Sequence, residues 1–241
     1  MPTLVRVEGE WPDPITLSTG WFRARARPWN DQVTEPMIRL DRGGAEFLIS
    51  VTRRIHELAG RVCYSPALFG SSSRVWLRSG FEPHAGLRIM ERGLNPVASV
   101  ASDIEVTSNS DPNWEAILEV DRASFEGFWS MSREGLFEAL MTNRAHTLLV
   151  VPDNDAVAGY AIVGSQWGVT YLHRIAVHPG WAGRGLGRAL VGEAVRWGAA
   201  NGGRTMILNV RPDNHRAIAL YQRTGFTDTG TELTVLRHQS G

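Results

Sequence analysis

Hydrophobic and polar positions follow two clear periods in the part of the chain after residue 103. Apolar residues such as Ile117, Leu118 and Phe125 recur at helical spacing, which predicts a helix over residues 114–125. A second helix is predicted over 132–141, where Ser132 can cap the first turn. Alternating or uniformly apolar runs predict strands over residues 104–107, 147–151, 156–163, 170–177, 205–210 and 231–237.

A glycine-rich segment at residues 180–187 separates the fourth of these strands from a third helix. Apolar residues from Leu186 onward recur at helical spacing, and Asn201 with the two following glycines ends this helix. Asn214 can cap a fourth helix, which stops at Gly225. The order β-α-α-β-β-β-α-β-α-β predicts an α/β fold in which helices and strands mix over one core.

The N-terminal part of the chain is less regular. Strand-like runs cover residues 15–17, 21–26 and 37–40, and a helix-like run covers 46–58. Residues 92–102 contain glycine, asparagine, proline and serine with little charge, which is typical of a linker. We therefore predict a smaller N-terminal α/β domain over residues 1–95, a linker over 96–103 and a complete C-terminal domain over 104–241.

A short, similar sequence pattern occurs in both parts of the chain. Residues 76–81 read Trp-Leu-Arg-Ser-Gly-Phe, and residues 221–226 read Tyr-Gln-Arg-Thr-Gly-Phe. Each combines a helix end, a glycine that stops the helix and an aromatic residue that starts a strand. Coincidence can produce such a pattern, but a strand-like run also precedes each helix, so we favour a degenerate second copy. This copy has no glycine-rich turn, and we do not expect it to bind a phosphate ligand.

Composition narrows the class of protein. Apolar residues make up 43% of the 241 residues, which is typical of a globular chain, and the formal net charge is zero. Strong attraction to nucleic acid or to an anionic membrane is not indicated, so we expect neither as a partner. Cys63 is the single cysteine, which excludes an intrachain disulfide and favours a reducing, cytoplasmic location. We find no signal-peptide pattern, no long apolar run and no repeated metal-ligand spacing, and we predict no structural metal.

The segment from Pro179 to Arg188 carries the clearest chemistry. Glycines at 183, 185 and 187 allow backbone angles that other residues resist, and they let a ligand approach closely. The segment ends at a helix N-terminus, where unpaired N–H groups and the helix dipole favour an anion. Arg184 and Arg188 lie four positions apart, so both can bond to phosphate oxygens. We interpret the segment as a pyrophosphate site.

Other phosphate-binding loops fit this segment less well. A P-loop requires Gly-Lys followed by Ser or Thr, which the segment lacks. A dinucleotide-binding fingerprint requires its glycines directly after the first strand of a βαβ unit, whereas several predicted strands precede this segment. An ordinary tight turn, with glycines that help helices to pack, is the alternative interpretation.

Three separated segments resemble the GNAT family of N-acetyltransferases. They are residues 173–179 (His-Arg-Ile-Ala-Val-His-Pro), the turn over 183–187, and residues 209–226, which begin Asn-Val-Arg-Pro-Asp-Asn and end Gly-Phe. The resemblance covers about residues 104–237. It implies a central, mostly antiparallel sheet that splays open after its fourth strand, with acetyl-CoA in the split as co-substrate. One departure is Ala182, where the family usually has Gln or Arg.

The resemblance also implies roles for individual residues. Backbone groups of the splayed strand bind the acetyl and pantetheine amides, and those of the turn bind the pyrophosphate. Asn214 matches an asparagine that contacts the pantetheine arm, and Tyr221 matches a tyrosine that protonates the departing thiolate. The implied cofactor-binding residues are Ile175, Ala176, Val177, Gly183, Arg184, Gly185, Leu186, Gly187, Arg188, Asn209, Asn214, Ala217 and Tyr221.

Asn214 and Tyr221 also have simpler interpretations. They lie seven positions apart, about two helical turns, and therefore share a helix face. Asn214 is otherwise a plain helix cap, and Tyr221 is otherwise a packed aromatic side chain. The resemblance favours a catalytic Tyr221.

The pattern does not identify the general base. Relatives that modify protein N-termini carry a glutamate on the fifth strand, where this sequence has Asn209, and an amide cannot accept the proton. His173 is the second predicted catalytic residue, because it precedes Ile175 by two positions and would face the same side of the strand. An unperturbed histidine, with a pKa of about 6.5, suits a base near neutrality. A hydrogen-bonded core histidine is the equal alternative, and Tyr171 is a weaker candidate.

The amine acceptor is expected near the first two helices of the C-terminal domain. Asp121, Phe125, Glu126, Phe128 and Trp129 combine acidic and aromatic groups that suit a cationic amine, although a solvated face beside core aromatics explains them equally. The leading hypothesis is transfer to a small amine or a protein N-terminus. The alternatives are an acyl-CoA-sensing or scaffolding module without catalysis, and an N-terminal part that forms a homodimer or covers the acceptor site.

Overall fold

The computed structural model describes residues 4–95, 103–108, 113–153 and 156–240. The chain forms two compact units, which we call the N-terminal unit (residues 1–87 with 232–241) and the C-terminal unit (residues 88–231). Among the described residues, no helix combines the length and the apolar character needed to cross a membrane.

The N-terminal unit is built on an antiparallel meander. The elements in this part of the chain are β1 (Arg6–Glu8), β2 (Ile15–Thr19), β3 (Phe22–Pro28), β4 (Pro36–Arg42), α1 (Ala45–Ala59), β5 (Val62–Phe69), α2 (Gly70–Leu77) and β6 (Glu82–Gly93). Strands β1 to β4 pair in sequence order, and β5 lies parallel to β4. Helix α1 buries Leu48 and Ile55 in one cluster with Leu17 and Ile38, so its apolar face covers the sheet.

The C-terminal unit carries a mostly antiparallel sheet between two layers of helices. Its elements are β7 (Thr107–Ser108), α3 (Trp114–Ser124), α4 (Arg133–Leu140), β8 (Ala145–Asp153), β9 (Ala156–Gln166), β10 (Val169–Val177), α5 (Leu186–Ala200), β11 (Thr205–Val210), α6 (His215–Arg223) and the start of β12 (Thr227–Gln239). The strands follow the order β6-β11-β10-β9-β8-β7, and β10 with β11 is the parallel pair.

Separate apolar clusters cover the two faces of this sheet. Helix α5 contributes Leu190 and Val195 to one cluster, and α3 and α4 contribute Ile117 and Leu136 to the other. The Ser132 hydroxyl accepts a hydrogen bond from the Gly135 amide, as the predicted cap requires. The predicted fold class, a mixed α/β structure with a GNAT-like sheet, is confirmed.

The sheet opens between β10 and β11. These strands pair only from Val169 to Leu172, opposite Thr205 to Leu208, although β10 continues to Val177. The split that was predicted after the fourth strand of the C-terminal domain, which is β10, is therefore present, and it begins beyond Leu172.

A bulge in β10 redirects side chains at the same point. The register of β10 against β9 shifts between Leu172 and Arg174, which leaves His173 as an extra residue. His173 bonds to the segment that follows α4 and Arg174 bonds to α3, whereas Ile175 packs in the cluster on the α5 side. The prediction that His173 and Ile175 face one side is therefore wrong, because strict alternation fails across a bulge.

The last strands of the two units are exchanged. Strand β6 follows α2 in the chain, but its residues 88–93 pair with β11. Strand β12 follows α6, but its residues 233–239 pair with β5. The compact units therefore differ from the predicted domains 1–95 and 104–241, since local sequence patterns do not reveal which distant strands pair. Nearly all of the predicted linker, 96–103, lies outside the described residues, so the domain assignment stays a prediction.

Other differences concern the ends of elements. The predicted strand over 104–107 begins later, because Thr107 and Ser108 are the residues that pair with β8. Sequence analysis did not identify β1, and it placed Arg92 and Gly93 in a linker although both belong to β6. In β6 the strand conformation is stabilised by pairing with β11, which a local composition does not report.

Candidate active site

The glycine-rich segment between β10 and α5 leaves a helix N-terminus uncovered. Gly183 and Gly185 have φ angles of 81° and 86°, in the left-handed region that glycine adopts readily. Gly185 is the N-cap of α5, and no side chain of the described residues forms a capping hydrogen bond with this helix. Gly187 packs so closely against α6 that an added Cβ would lie 3.1 Å from Cδ2 of Leu220. Local structure thus explains why glycine occurs at each of these three positions.

The backbone amides at the end of this segment differ from those of residues 180–182, which donate to His178 or Pro179. Within the described residues, no backbone acceptor is found for the N–H groups of residues 183–188, whereas the Ala189 N–H donates to the Gly185 carbonyl at 3.0 Å. Arg184 and Arg188 are exposed, and the Arg184 guanidinium lies 4.7 Å from the centre of the Trp181 ring. Convergent amides, a positive helix end and two arginines suit a diphosphate.

A groove of about 770 Å³ adjoins this helix N-terminus. The end of α3, the end of β10, the glycine segment and one face of α6 line it. The predicted residues that the structure brings to this groove are Ile175, Ala176, Val177, Gly183, Gly185, Leu186, Gly187, Arg188, Asn214, Ala217 and Tyr221. The set spans residues 175–221 of the chain, so the fold assembles the predicted segments on one surface.

The exposed edge of β10 directs backbone groups into the split. The His178 N–H donates to Ala158 on β9 at 2.9 Å, and neighbouring amides alternate in direction along a strand. The N–H groups of Ile175 and Val177 therefore point away from β9, on the side where β11 has already diverged. The Val177 carbonyl accepts the Ser124 hydroxyl at 3.0 Å, which ties α3 to this edge.

Helix α6 presents Asn214, Ala217 and Tyr221 along one wall of the groove. The Asn214 side chain accepts the Ala217 amide at 3.1 Å, so the helix-cap interpretation of Asn214 is confirmed. Tyr221 is buried beside Phe226, with ring centres 5.8 Å apart. Burial raises the pKa of Tyr221 to about 12, which keeps its hydroxyl protonated at neutral pH.

Two predicted binding residues do not line the groove. Asn209 is exposed on β11, where it pairs with Ile89 of β6. Arg184 belongs to the glycine segment, but its side chain lies over Trp181 and is not among the lining residues. Asn209 carries no geometric support for a contact with a ligand in this groove.

His173, the second predicted catalytic residue, is also separate from the groove lining. Its Nε2 lies 2.6 Å from Oδ1 of Asn143, and its ring stacks on Tyr171 with the planes 8° apart. Burial lowers the pKa of His173 to about 4. This geometry matches the alternative interpretation, a hydrogen-bonded core histidine that is neutral and a weak base.

Asp121, which was predicted to lie on the acceptor side, belongs to a buried network. It is fully buried and pairs with Arg174 through two bonds of 2.7 and 2.9 Å, and it also accepts the Tyr160 hydroxyl at 2.5 Å and the Met131 amide at 2.8 Å. Burial opposes the charge of Arg174, but Tyr160 and Asp121 outweigh it and raise the pKa of Arg174. Because these partners occupy Asp121, it is unavailable to a cationic amine.

The same network holds the loop between α3 and α4. Arg174 donates to the Trp129 carbonyl at 2.8 Å, and its guanidinium lies 3.5 Å from the centre of the Phe125 ring. Phe125 lines the groove, so the buried ion pair positions one of its walls.

Arg216 and Arg223 are groove residues that sequence analysis missed. Both are exposed on α6, and they lie seven positions apart on the helix. Their positions on the same helix as Asn214 and Tyr221 are the sequence signal for positive charge at the rim of the groove.

Comparison with known proteins agrees with this geometry. Residues 114–226 match the model of the acetyltransferase (GNAT) family. An uncharacterised protein of Mycobacterium leprae is 35% identical over 99 residues, which are 39% of this chain and 26% of that protein. A putative ribosomal protein bS18-alanine N-acetyltransferase of Bacillus subtilis is 25% identical over 130 residues, or 50% of this chain and 85% of that protein.

Relatives also include the mycothiol acetyltransferase of Renibacterium salmoninarum, which is 28% identical over 165 residues, or 61% of this chain and 49% of that enzyme. The chain thus spans about a quarter of the first of these relatives and about half of the mycothiol enzyme.

Solved structures share the fold over nearly the whole chain. A tandem GNAT protein from the clavulanic acid biosynthesis pathway has a TM-score of 0.64 at 16% identity and covers 100% of this chain and 85% of that one. A GCN5-related N-acetyltransferase from Sphaerobacter thermophilus has a TM-score of 0.56 at 16% identity, covering 95% and 81%. Such identities show the fold alone. The match to the acetyltransferase (GNAT) family covers residues 114–226, so the similarity to that family concerns this part of the chain.

Proposed function

We propose that the C-terminal unit transfers an acetyl group from acetyl-CoA to a primary amine, on a small molecule or a protein N-terminus. One observation carries the proposal: an unpaired strand edge, an uncovered helix N-terminus and a buried tyrosine converge on a single groove. Relatives named as a ribosomal protein alanine N-acetyltransferase and a mycothiol acetyltransferase support acetyl transfer and fit both classes of acceptor.

The residues of the groove fit the successive parts of acetyl-CoA. The free amides of residues 183–188 would hold the diphosphate, and Arg188, Arg216 and Arg223 would add positive charge for the remaining phosphate. Apolar lining residues such as Leu186 and Ala217 suit the pantetheine arm. The backbone N–H groups of Ile175 and Val177 would meet its amides and the acetyl carbonyl.

The proposed reaction is a direct attack on the thioester that acetyl-CoA supplies. The acceptor amine must be neutral so that its lone pair can form the new C–N bond. Strand amides stabilise the negative charge that develops on the carbonyl oxygen. As the C–S bond breaks, Tyr221 donates its hydroxyl proton to the sulfur. The amine loses a proton to solvent, and a proton from solvent then restores the Tyr221 hydroxyl.

A solvent route for the amine proton follows from the groove's composition. None of the described lining residues is a histidine, aspartate or glutamate. His173 is neutral and bonded to Asn143, and Asp121 is bonded to Arg174. We therefore assign the deprotonation to water instead of to a side chain that touches the amine.

Incubation of the full chain with acetyl-CoA and a panel of amines and short peptides tests the proposal. We expect release of free CoA thiol that depends on one acceptor class, with the acetylated amine detected by mass spectrometry. Thiol release that is equal with and without every acceptor would contradict acetyl transfer.

The described residues of the groove include no side-chain base, and this favours a second candidate, an acyl-CoA-sensing or scaffolding module. Calorimetric titration separates the two functions. Tight binding of acetyl-CoA with no transfer to any acceptor would support the sensor, whereas turnover that requires Tyr221 would support the enzyme.

A further inference from the structure

Three side chains of metal-ligating types converge in the N-terminal unit, whose described residues do not line the groove. His56 lies in the last turn of α1, Cys63 on β5 and His238 on β12. One ligand atom from each lies within 4.8 Å of the other two. Cys63 and His238 are direct partners in the antiparallel pairing of β5 with β12, so their side chains leave the same face of the sheet.

The hydrogen bonds of His56 fix its ring so that Nε2 points towards the other two side chains. Its Nδ1 lies 2.7 Å from the carbonyl oxygen of Gly60, which can only accept, so Nδ1 carries the hydrogen and Nε2 presents a lone pair. That Nε2 faces Nδ1 of His238 at 2.9 Å. A histidine that donates its second ring N–H to a backbone carbonyl is typical of metal sites.

The cluster is shielded from solvent. Cys63 is fully buried in the apolar cluster beneath α1, and both histidines are half-buried. Gly80 leaves room beside the His238 ring, since an added Cβ would lie 3.4 Å from its Nε2.

We infer that Nε2 of His56, Sγ of Cys63 and Nδ1 of His238 bind one zinc ion. Imidazole and thiolate are zinc's usual ligands, with Zn–N of about 2.0–2.1 Å and Zn–S of about 2.3 Å. Tetrahedral angles place the ligand atoms about 3.3–3.6 Å apart. The two ring nitrogens, which lie 2.9 Å apart, must therefore separate slightly, and Sγ of Cys63, which lies within 4.8 Å of both, must approach them by about 1 Å. A fourth ligand, such as a water, would complete the tetrahedron. On binding, the S–H bond of Cys63 breaks, its proton passes to solvent and the sulfur–zinc bond forms without redox change.

A zinc ion at this place would tie the end of α1 to β5 and to the returning strand β12. The three ligands are distant in the chain, at positions 56, 63 and 238, so no local spacing announced them. Because zinc would bind the folded chain and not the unfolded one, it would raise the free energy of unfolding.

Metal titration of the full chain, after dialysis against a chelator, tests the site. We expect one equivalent of Zn²⁺ to bind, to raise the melting temperature and to release one proton, measured by calorimetry in buffers of different ionisation enthalpy. One equivalent of Co²⁺ should give the visible bands of tetrahedral cobalt and the charge-transfer absorption of a cobalt–thiolate bond.

Matched variants assign the ligands. Cys63→Ser should remove the charge-transfer band, and both Cys63→Ser and His238→Asn should weaken zinc binding by at least about a hundredfold. His84→Asn, which changes another histidine of the same unit, should leave the binding unchanged. Wild-type protein without a 1:1 zinc complex, or a cobalt spectrum without a thiolate band, would overturn the inference and leave a hydrogen-bonded histidine pair. The zinc stoichiometry and the cobalt spectrum are measured on the wild-type protein, so both test the proposal even if a variant fails to fold.

Discussion

The two units repeat one succession of elements and differ at one connection. In the N-terminal unit β4, α1, β5 and α2 follow one another as β10, α5, β11 and α6 do in the C-terminal unit, and each succession contains a parallel strand pair. Both second helices end alike. The Phe81 amide donates to the Trp76 carbonyl at 3.2 Å, as Phe226 does to Tyr221 at 2.9 Å. This likeness supports our proposal that the N-terminal unit is a degenerate copy.

The difference lies between the strand and the first helix. Gly43 and Gly44 alone join β4 to α1, whereas residues 178–185 join β10 to α5. An added Cβ on Gly43 would lie 2.5 Å from the Phe47 ring, so the short connection is packed against its own helix. The two units therefore share a scaffold, and the proposed anion site belongs to the longer connection.

The largest expected effect of a substitution is on the free energy of unfolding. It compares a buried ion pair in the C-terminal unit with an exposed ion pair in the N-terminal unit. Asp121→Ala should lower the free energy of unfolding by about 3–5 kcal/mol, because it leaves the buried Arg174 guanidinium unpaired. Asp41→Ala, which removes an exposed partner of Arg25, should cost about 1 kcal/mol or less. Urea denaturation measures both, and equal costs would contradict the structural role assigned to Asp121.

The next effect tests the longer connection directly. Gly185→Asp should weaken acetyl-CoA binding by at least about a hundredfold, or about 2.7 kcal/mol, since it adds bulk at a positive φ and negative charge beside the diphosphate. Gly202→Asp is the matched control, because Gly202 also has a positive φ of 78° and an added Cβ meets nothing within 4 Å. Isothermal calorimetry should show the loss for Gly185→Asp alone; unchanged affinity there would remove the anion site.

A third prediction uses the aromatic residue at equivalent helix ends. Tyr221→Phe should lower kcat by about a hundredfold, as loss of a general acid does, and should leave the binding of acetyl-CoA intact. Trp76→Phe, at the matching position of the other unit, should leave kcat unchanged. Steady-state kinetics decides the matter, and because the pKa of Tyr221 is raised to about 12, its deprotonation should not limit kcat below pH 10. A Tyr221→Phe enzyme with normal kcat would remove its acid role.

The smallest expected effect concerns His173, which has no place in the groove. His173→Gln should change kcat/KM by less than about threefold, well below the hundredfold or more that a general base contributes. Because burial lowers the pKa of His173 to about 4, the unfolded chain binds its proton first, and stability is lost as pH falls from about 6.5 towards 4. The variant should lose less stability over that range. A hundredfold fall in kcat/KM would instead restore His173 as the base.

Much of the site was accessible from the sequence because its chemistry is local. The glycines of the turn lie within one connection, and Asn214 and Tyr221 lie seven positions apart on one helix. All of these residues line the groove. His173 was misplaced for the opposite reason: a bulge, set by pairing with β9, reverses the alternation on which its assignment rested.

The sequence by itself predicted the succession of helices and strands in the C-terminal part and a glycine turn suited to an anion, because these follow from periodicity, glycine conformation and helix ends. The split sheet was an implication of the family resemblance. Tertiary structure alone decided which distant strands pair, that Asp121 is neutralised by Arg174, and that His56, Cys63 and His238 meet. The physical reason is that burial and strand pairing join residues far apart in the chain, and no local pattern reports the partner.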